Sequence, residues 1–255
     1  MTSRMFFGVV AVAGVVGLTA MAEMLVKAEP SAQPVKPEPV SPTERIELFN
    51  GKDLGGWTKV IKAEREAAGE KQVGLSTVRW NTEASPDKTW RVEDGIIKCT
   101  GKPFGYLRTQ QSYKDFKLHV EYRWADTTTA TPNSGVFVFM TGGDTNFLPK
   151  AIESQLKMGR AGDWVLLSTS TMNGLENKGN KSVKRQNEES SEKPRGEWNS
   201  VDIVTKGNTI QVSINGVLQN TGKDVYTDAG QICLQSEGGA VDFRNVTLEP
   251  VEKCQ

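Results

Sequence analysis

The sequence predicts an all-β protein in which two antiparallel sheets pack face to face as a sandwich. In its last third, Ile210, Val212 and Ile214 alternate with polar residues and lead into the turn Asn215-Gly216. Asn-Gly between alternating apolar residues is the strongest short hairpin signal, because both turn residues tolerate positive φ. Roughly ten short segments of this kind, without an amphipathic helix, are typical of a sandwich because each sheet must bury its apolar face.

Apolar patterning also places the other elements. Segment 134–140, SGVFVFM, is apolar on both faces and predicts a central strand. Segments 62–72 and 176–196 carry few apolar residues, so we expect polar surface loops there, the second of them mobile. The final strands are expected at 199–205, 209–215, 230–236 and 240–249.

The N-terminal residues have the pattern of a targeting segment. Arg4 precedes an apolar run that ends in an A-x-A cleavage motif. We expect residues 1–22 to be a signal peptide, or an N-terminal anchor if they are retained, and the protein to be exported to the periplasm or the extracellular space. Five prolines within residues 23–44 predict an extended linker, which leaves a folded domain at 45–255.

Charge composition narrows the class of partner. The 255 residues carry 31 Lys+Arg and 31 Asp+Glu, a formal net charge of +0. This balance gives no basis for binding nucleic acid or an anionic membrane. Membrane contact is therefore expected only through a retained N-terminal segment.

Three cysteines could take part in disulfides if the chain is exported. Cys99 and Cys233 both lie in strand-like segments and would pair only if those strands are neighbours. Cys254, next to the C-terminus, is expected to be free. The Cys and His spacing does not resemble a zinc site.

Loop aspartates are the candidates for a metal site. Asp126, Asp144 and Asp163 could hold a divalent cation such as calcium through their carboxylate oxygens. Loop aspartates more often cap turns or face solvent. Both interpretations stay open, and no cofactor is required by the sequence.

Charged side chains inside otherwise apolar strands are the candidates for chemistry. KLHVEYRW directs His119, Glu121 and Arg123 to one face, where His119 is the chain's single histidine. Glu153 and Gln155 share a face of a later strand. Such residues often only face solvent. If both faces form one surface, Glu121 and Glu153 are an acid–base pair. Arg123 then orients a substrate oxygen, and His119 and Gln155 contribute to substrate binding.

Trp164 is the best candidate for a sugar platform among the six tryptophans. It follows Gly162-Asp163 in a loop after the strand that carries Glu153. An aromatic ring can pack against the C–H face of a pyranose while polar neighbours bind its hydroxyl groups. The alternative is a structural role in the core, as for most tryptophans of a sandwich.

Motifs distributed over residues 45–251 resemble a known family. In chain order they are LFNGKDLGGW (48–57), WRVEDGIIKCTG (90–101), NSGVF (133–137), IESQL (152–156), GEWN (196–199), NGV (215–217) and GQICLQSEGGAVDFRNVTLEP (230–250). Together they are similar to the 3-keto-disaccharide hydrolase domain family, formerly DUF1080. That family is similar to concanavalin A-like lectins and glucanases, so the resemblance implies a jelly roll of two curved sheets with a site on the concave face.

The resemblance also implies which residues form the site. Glu153 and Gln155 match a Y-E-x-Q strand of the family, and Glu121 and Arg123 match its E-x-R strand. The implied activity is cleavage of the glycosidic bond of 3-keto-glycosides by carboxylate acid/base chemistry. The alternatives are a carbohydrate-binding module without catalysis and a structural or adhesion domain.

The chain departs from the family pattern at two positions near the implied site. Phe139 stands where the family often has arginine, and Ile152 stands where it usually has an aromatic residue. We expect these differences to affect the activity or the identity of the sugar substrate.

Overall fold

The computed structural model describes residues 37–62, 80–81, 86–125, 128–142, 148–175 and 181–251. Within these ranges the chain is almost entirely β, and the helical segment α1 (Pro86–Thr89) is four residues long. No helix of the described ranges has the length and apolar character to cross a membrane. The predicted signal peptide and nearly all of the predicted loop at 62–72 lie outside the described residues.

The described strands, numbered in chain order, form two antiparallel sheets. From edge to edge, the eight-stranded sheet contains β15 (Val217–Gly222), β14 (Thr209–Ile214), β13 (Asn199–Lys206), β8 (Phe116–Trp124), β17 (Val241–Pro250), β5 (Ile96–Cys99) and β4 (Trp90–Glu93), with β1 (Ile46–Glu47) paired to β17. The nine-stranded sheet contains β12 (Lys181–Val183), β11 (Trp164–Leu167), β10 (Lys150–Gln155), β9 (Gly135–Thr141), β16 (Ala229–Ser236), β6 (Gly105–Thr109), β2 (Trp57–Lys62) and β3 (Trp80–Asn81), with β7 (Tyr113–Lys114) paired to β16. The predicted two-sheet sandwich is confirmed.

Tight turns join the hairpins where the sequence predicts them. Asn215 (φ 51°) and Gly216 (φ 78°) connect β14 to β15, and Asp94 (φ 52°) and Gly95 (φ 74°) connect β4 to β5. Positive φ at both central positions is the type I′ geometry, whose twist matches that of the flanking strands. These turns therefore set the register of both hairpins.

The space between the sheets is filled by one apolar cluster. Leu118, Val120 and Tyr122 of β8 are fully buried there, and residues from both sheets join them. The indole ring of Trp90 stacks on the ring of Phe243 with centroids 6.4 Å apart. Burial of this apolar surface is the main stabilising contribution to the sandwich.

The nine-stranded sheet is also apolar on its outer face, the face turned away from the other sheet. A second cluster of buried residues lies there: Val60, Tyr106, Phe137, Met140, Ala151, Val165, Leu167 and Cys233. Strand β9 lies between β10 and β16 and is buried on both faces, as its sequence predicts. A polar group placed on this face therefore loses its hydration.

The conditional Cys99–Cys233 disulfide is not formed. Cys99 lies on β5 of the eight-stranded sheet and Cys233 on β16 of the nine-stranded sheet, and both are buried thiols outside any disulfide between described residues. Cys99 packs between the sheets, whereas Cys233 lies on the outer face of its own sheet. The strands are not neighbours, so the condition for pairing is not met; Cys254 lies outside the described residues.

Part of the linker predicted at 23–44 is bonded to the sandwich. The backbone N–H of Val40 donates to the carbonyl oxygen of Ser112 at 2.9 Å, and the N–H of Lys114 donates to the carbonyl oxygen of Val40 at 3.0 Å. The folded part of the chain thus begins before the expected start at Arg45. The extended conformation that the prolines favour allows this segment to pair with the backbone beside β7.

The charged segment after β12 is hydrogen-bonded to the sandwich, contrary to the expectation of a mobile loop over 176–196, of which residues 176–180 lie outside the described residues. The carboxylate of Glu192 accepts hydrogen bonds from the Tyr122 hydroxyl and the Trp124 indole N–H, both at 2.9 Å. It also accepts one from the backbone N–H of Gly159 at 3.0 Å. Two aromatic donors of the buried core require an acceptor, and a loop glutamate supplies it.

We predict that Glu192→Ala lowers the free energy of unfolding by about 2–4 kcal/mol. The substitution leaves the hydroxyl of Tyr122 and the indole N–H of Trp124 without an acceptor inside the core. Urea unfolding followed by tryptophan fluorescence measures this. Glu188→Ala, in an exposed part of the same segment, is the control and should change the free energy by less than about 0.5 kcal/mol. Equal effects of the two substitutions would contradict the role given to Glu192.

Candidate functional site

Glu121 and Glu153 lie on different sheets. Glu121 is on β8, on the outer face of the eight-stranded sheet, and Glu153 is on β10, on the outer face of the nine-stranded sheet. Packed sheets are about 10 Å apart, and each side chain points away from the other sheet. The predicted convergence of Glu121 and Arg123 with Glu153 and Gln155 is therefore wrong. Strand alternation shows which residues share a face of one strand, but not which strands share a sheet.

The carboxylate of Glu121 is bound by residues of the neighbouring strand β17 in its own sheet. Its Oε2 lies 2.6 Å from Arg244 Nε, and its Oε1 accepts a hydrogen bond from Asn245 Nδ2 at 2.8 Å. A β-bulge in β17, with Asn245 at φ 49°, places these two consecutive residues on the same face. Burial disfavours the charge of Glu121, but these hydrogen bonds outweigh it and lower the pKa of the carboxyl group.

His119, predicted to bind substrate, is held between two carboxylates. Its Nδ1 lies 2.8 Å from Asp202 Oδ1 and its Nε2 lies 3.8 Å from Glu121 Oε1. The hydrogen bond with Asp202 raises the pKa of the imidazole and outweighs burial, which lowers it. His119 therefore belongs to a network of matched charges on the eight-stranded sheet.

Arg123 belongs to the same network. Its Nε donates to Asp242 Oδ2 at 2.8 Å, and Lys98 Nζ binds the same oxygen at 2.9 Å. The guanidinium carbons of Arg123 and Arg244 lie 4.7 and 4.0 Å from the ring centroid of Trp198, within range of cation–π attraction. Arg123 therefore has structural partners, and they lie on the eight-stranded sheet and not on the sheet that carries Glu153.

Trp164 is a core residue. It lies on β11 beside Ser154 of β10, is 0% exposed and packs in the cluster between the sheets. A ring enclosed on both faces cannot stack on a sugar, so the predicted platform is wrong and the structural alternative is correct.

The calcium interpretation receives no support from the described aspartate. Asp163 Oδ2 lies 2.9 Å from Arg160 Nε, and Asp163 Oδ1 accepts a hydrogen bond from the backbone N–H of Arg185 at 2.9 Å. Asp126 and Asp144 lie outside the described residues. Within the described ranges, His, Cys, Asp and Glu side chains form no group of three or more that could hold a metal ion.

A different set of polar residues shares the outer face of the nine-stranded sheet, at one end of β10, β9 and β16. Three members lie on β10 and β16, where alternate positions share the outer face, and the other three lie just beyond the strand ends. The members, called the polar cluster below, are Asn133, Glu153, Gln155, Lys157, Gln235 and Glu237. The pairing of Leu234 with Val136 and the bridge between Asn133 and Gly238 bring these ends together.

Gly135 makes room for the carboxyl group of Glu153. Gly135 is the Cα partner of Gln155, and a Cβ at Gly135 would overlap Glu153 Oε1. The side chain of Glu153 therefore lies over the backbone of β9. By continuation of the β9–β16 register, Gln235 flanks Gly135 on the other side. Gln235 is thus placed beside the residue over which the carboxyl group of Glu153 lies.

Glu153 is desolvated among apolar neighbours. It is 2% exposed, and its Cα partners Phe137 and Val165 belong to the outer apolar cluster. Burial raises the pKa of this carboxyl group well above its usual range, and repulsion from Glu237 adds to the increase while Arg160 opposes it. Burial therefore favours the protonated, neutral form of Glu153.

Glu237 occupies a more polar environment at the edge of the cluster. It is half-buried, and its Oε2 accepts a hydrogen bond from Asn133 Nδ2 at 2.6 Å. Burial raises the pKa of Glu237, and the nearby amide of Gln235 and the charge of Lys157 only partly oppose this increase. The two carboxyl groups therefore interact electrostatically, one enclosed among apolar side chains, the other partly solvated and supported by a hydrogen-bond donor. Such a pair can act as acid and base.

Gln155, predicted to bind substrate, does lie on the face of Glu153. Its Oε1 accepts a hydrogen bond from the backbone N–H of Lys157 at 2.8 Å. The sequence did not predict three members of the site, Glu237, Gln235 and Asn133. Their alternate spacing is nevertheless visible in the segments N-x-G and Q-x-E. Only the pairing of β9 with β16, strands far apart in the chain, shows that they join Glu153.

The two departures from the family pattern point into the core. Phe139 (φ 58°) lies at a bulge of β9, and its ring centroid is 6.4 Å from that of Phe116. Ile152 also packs between the sheets. Neither residue is a member of the polar cluster.

Comparison with solved structures supports the fold. Two candidate glycosyl hydrolases of Parabacteroides distasonis are similar to this chain. The first has 20% sequence identity and a TM-score of 0.56, and the match covers 82% of this chain and 94% of that protein. The second has 19% sequence identity and a TM-score of 0.53, and the match covers 82% of this chain and 100% of that protein. A structure described as a native glycosidic hydrolase has 12% identity and a TM-score of 0.51, with coverage of 84% and 100%. At these identities the similarity shows the jelly-roll fold. No curated protein matches the chain in sequence.

A sequence model of one carbohydrate-active family matches residues 44–249, which is most of the chain and nearly the whole of the sandwich. The match agrees with the motifs that resemble the 3-keto-disaccharide hydrolase domain. The chain belongs to the family of 3-keto-α-glucoside-1,2-lyase-like domains.

Proposed function

We propose that the protein is an enzyme that cleaves the glycosidic bond of 3-keto-glycosides by acid/base chemistry in the polar cluster. The observation that carries this proposal is Glu153, a carboxyl group enclosed in an apolar sheet with a second carboxyl group, Glu237, close enough to raise its pKa. Two titratable groups in contrasting environments are a frequent arrangement for general acid and base. The description of the family supports a 3-keto sugar as substrate.

Glu237 is the candidate base. A ketone at C3 of the sugar acidifies the proton on C2, and a carboxylate can abstract it. Glu237 ionises more readily than Glu153, because it is partly solvated, accepts a hydrogen bond from Asn133 and has Lys157 nearby. The electron pair of the C2–H bond then forms an enolate.

Glu153 is the candidate acid. The enolate collapses and expels the substituent at C1, whose oxygen takes a proton as the C–O bond breaks. Glu153 is neutral because of burial and has a proton to give. Water then adds to the resulting enone, so that the net change is hydrolysis and both carboxyl groups return to their starting states.

Export is a separate part of the proposal. It rests on Arg4, the apolar run Met5–Ala22 and its small-residue end, which together fit a signal peptide. The buried thiols of Cys99 and Cys233 are compatible with an oxidising compartment, because their strands lie in different sheets and are not neighbours.

We predict that Glu153→Gln and Glu237→Gln each lower kcat on methyl 3-keto-α-glucoside by about 100-fold or more, because each removes a proton-transfer group while preserving side-chain size. Release of methanol measures the rate.

Glu121→Gln is the matched control. It makes the same chemical change on the eight-stranded sheet and should retain kcat within about threefold. An equal loss in all three variants contradicts the site. A wild-type protein that binds sugar but never releases methanol supports the binding-module alternative.

We predict that Glu153→Gln removes a pH dependence of stability. The folded pKa of Glu153 is raised, so its contribution is fully present below the ordinary carboxyl pKa and is lost as pH rises towards the folded pKa. Relative to Glu153→Gln, the wild type should lose about 1.4 kcal/mol of unfolding free energy per pH unit in that window. Urea unfolding of both proteins between pH 4 and pH 8 measures the difference, and a constant difference contradicts a neutral Glu153.

We predict that the mature protein is found outside the cytoplasm and begins near residue 23. Val9→Asp together with Val12→Asp places two charges in the apolar run and should retain the full-length chain inside the cell. Cell fractionation with intact-mass measurement distinguishes cleavage, a retained anchor and absence of export. Export of the doubly charged variant would contradict the signal peptide.

A further inference from the structure

Three oxygen atoms of the polar cluster are buried without a hydrogen-bond partner in the described part of the chain. They are Glu153 Oε1, Gln235 Oε1 and Asn133 Oδ1. Gln235 is 4% exposed and Glu153 is 2% exposed, so these atoms have little contact with solvent. A buried polar atom without a partner costs about 1–3 kcal/mol, and folded proteins contain few of them. Three in one cluster indicate a site that is completed by a ligand.

The orientation of the Asn133 amide is determined by Glu237. Asn133 donates its Nδ2–H to Glu237 Oε2 at 2.6 Å. A carboxylate oxygen accepts this hydrogen bond, so the amide presents its nitrogen to Glu237 and its oxygen elsewhere. Flipping the amide would break the bond to the carboxylate. The oxygen of Asn133 without a partner is therefore a fixed property of the cluster, and Gln235 Oε1 lies in the same cluster without a partner of its own.

We propose that Gln235 and Asn133 form a subsite that recognises hydroxyl groups of a neutral sugar by accepting hydrogen bonds from them. Carbonyl oxygens are pure acceptors, and sugar hydroxyl groups are the donors that a neutral glycan supplies. This inference rests on the proposed function and adds the recognition of the substrate to it. Because Gln235 flanks Gly135, over which the carboxyl group of Glu153 lies, a hydroxyl group bound to Gln235 is placed near the proposed acid.

The same chemistry excludes anionic sugars from this subsite. A uronic acid carboxylate or a sulfate ester presents only acceptor oxygens, which repel the oxygens of Gln235 and Asn133. Placing such a group beside Glu237 adds repulsion between like charges in a poorly solvated site. The subsite therefore discriminates by hydrogen-bond direction, and it favours a hydroxyl over any group of similar size that cannot donate.

Fluorinated sugars test this direction of hydrogen bonding. Fluorine is close in size to a hydroxyl group but cannot donate a hydrogen bond. The probes are methyl α-glucopyranoside, its 3-, 4- and 6-deoxyfluoro analogues, and methyl α-glucuronide, titrated into the full chain by ligand-observed NMR. None of them carries a 3-keto group, so binding is measured without turnover.

We expect at least one fluoro analogue and the glucuronide to bind the wild type about five- to tenfold more weakly than methyl α-glucopyranoside, as for the loss of one hydrogen bond. Gln235→Met should weaken the binding of methyl α-glucopyranoside by a similar factor and abolish discrimination against that fluoro analogue. Gln231→Met is the matched control, because Gln231 is on the same strand and donates to the Thr109 carbonyl oxygen. It should retain the discrimination.

The inference is overturned if the wild type binds no probe, if all fluoro analogues bind as well as the parent, or if the glucuronide binds equally well. Calcium chloride and EDTA should leave the measured sugar binding unchanged. If sugar binding requires calcium, the three oxygens are cation ligands and the inference is overturned as well. Should Gln235→Met not fold, the analogue series on the wild type decides alone. Intact discrimination without turnover of 3-keto-glycosides refutes the proposed enzyme but not the subsite.

Discussion

The burial of one carboxyl group in a sheet that is apolar on both faces is the constraint on which the site depends. Glu153 has Phe137 and Val165 as strand partners, and it fits only because Gly135 leaves space above the backbone of β9. Desolvation favours the protonated form of this group. Glu237, at the edge of the cluster, is less buried and has a hydrogen-bond donor in Asn133. Packing therefore gives the two carboxyl groups contrasting environments, before any substrate is considered.

The two outer faces of the sandwich use similar residue types for opposite purposes. On the eight-stranded sheet, Glu121 and His119 have charged or hydrogen-bonding partners at short distances, and such a network stabilises strand pairing. On the nine-stranded sheet, Glu153 and Gln235 retain oxygens without partners in the described part of the chain. Unmatched polar atoms lower stability, so the second face is the one at which a ligand adds missing interactions.

Local sequence patterns predicted the strands and their faces, but not their neighbours. The alternation in β8 and the Asn215-Gly216 turn are determined by residues adjacent in the chain, so both were predictable. Whether Glu121 and Glu153 share a sheet depends on pairings between distant strands, and these are set by the packing of the whole sandwich. The structural role of Glu192 could not be predicted for a related reason. It accepts hydrogen bonds from aromatic side chains that lie about 70 residues away in the sequence.

A structural role alone does not account for a glutamate at position 153. Glu153 has the apolar Phe137 and Val165 as strand partners, and a leucine or methionine at this position would pack against them without a desolvation cost or a partnerless oxygen. Glutamate also makes the fold less stable as the pH rises through the range in which an ordinary carboxyl group is already ionised. A residue that weakens the fold at this position, with a second carboxyl group beside it, is expected where protons are transferred.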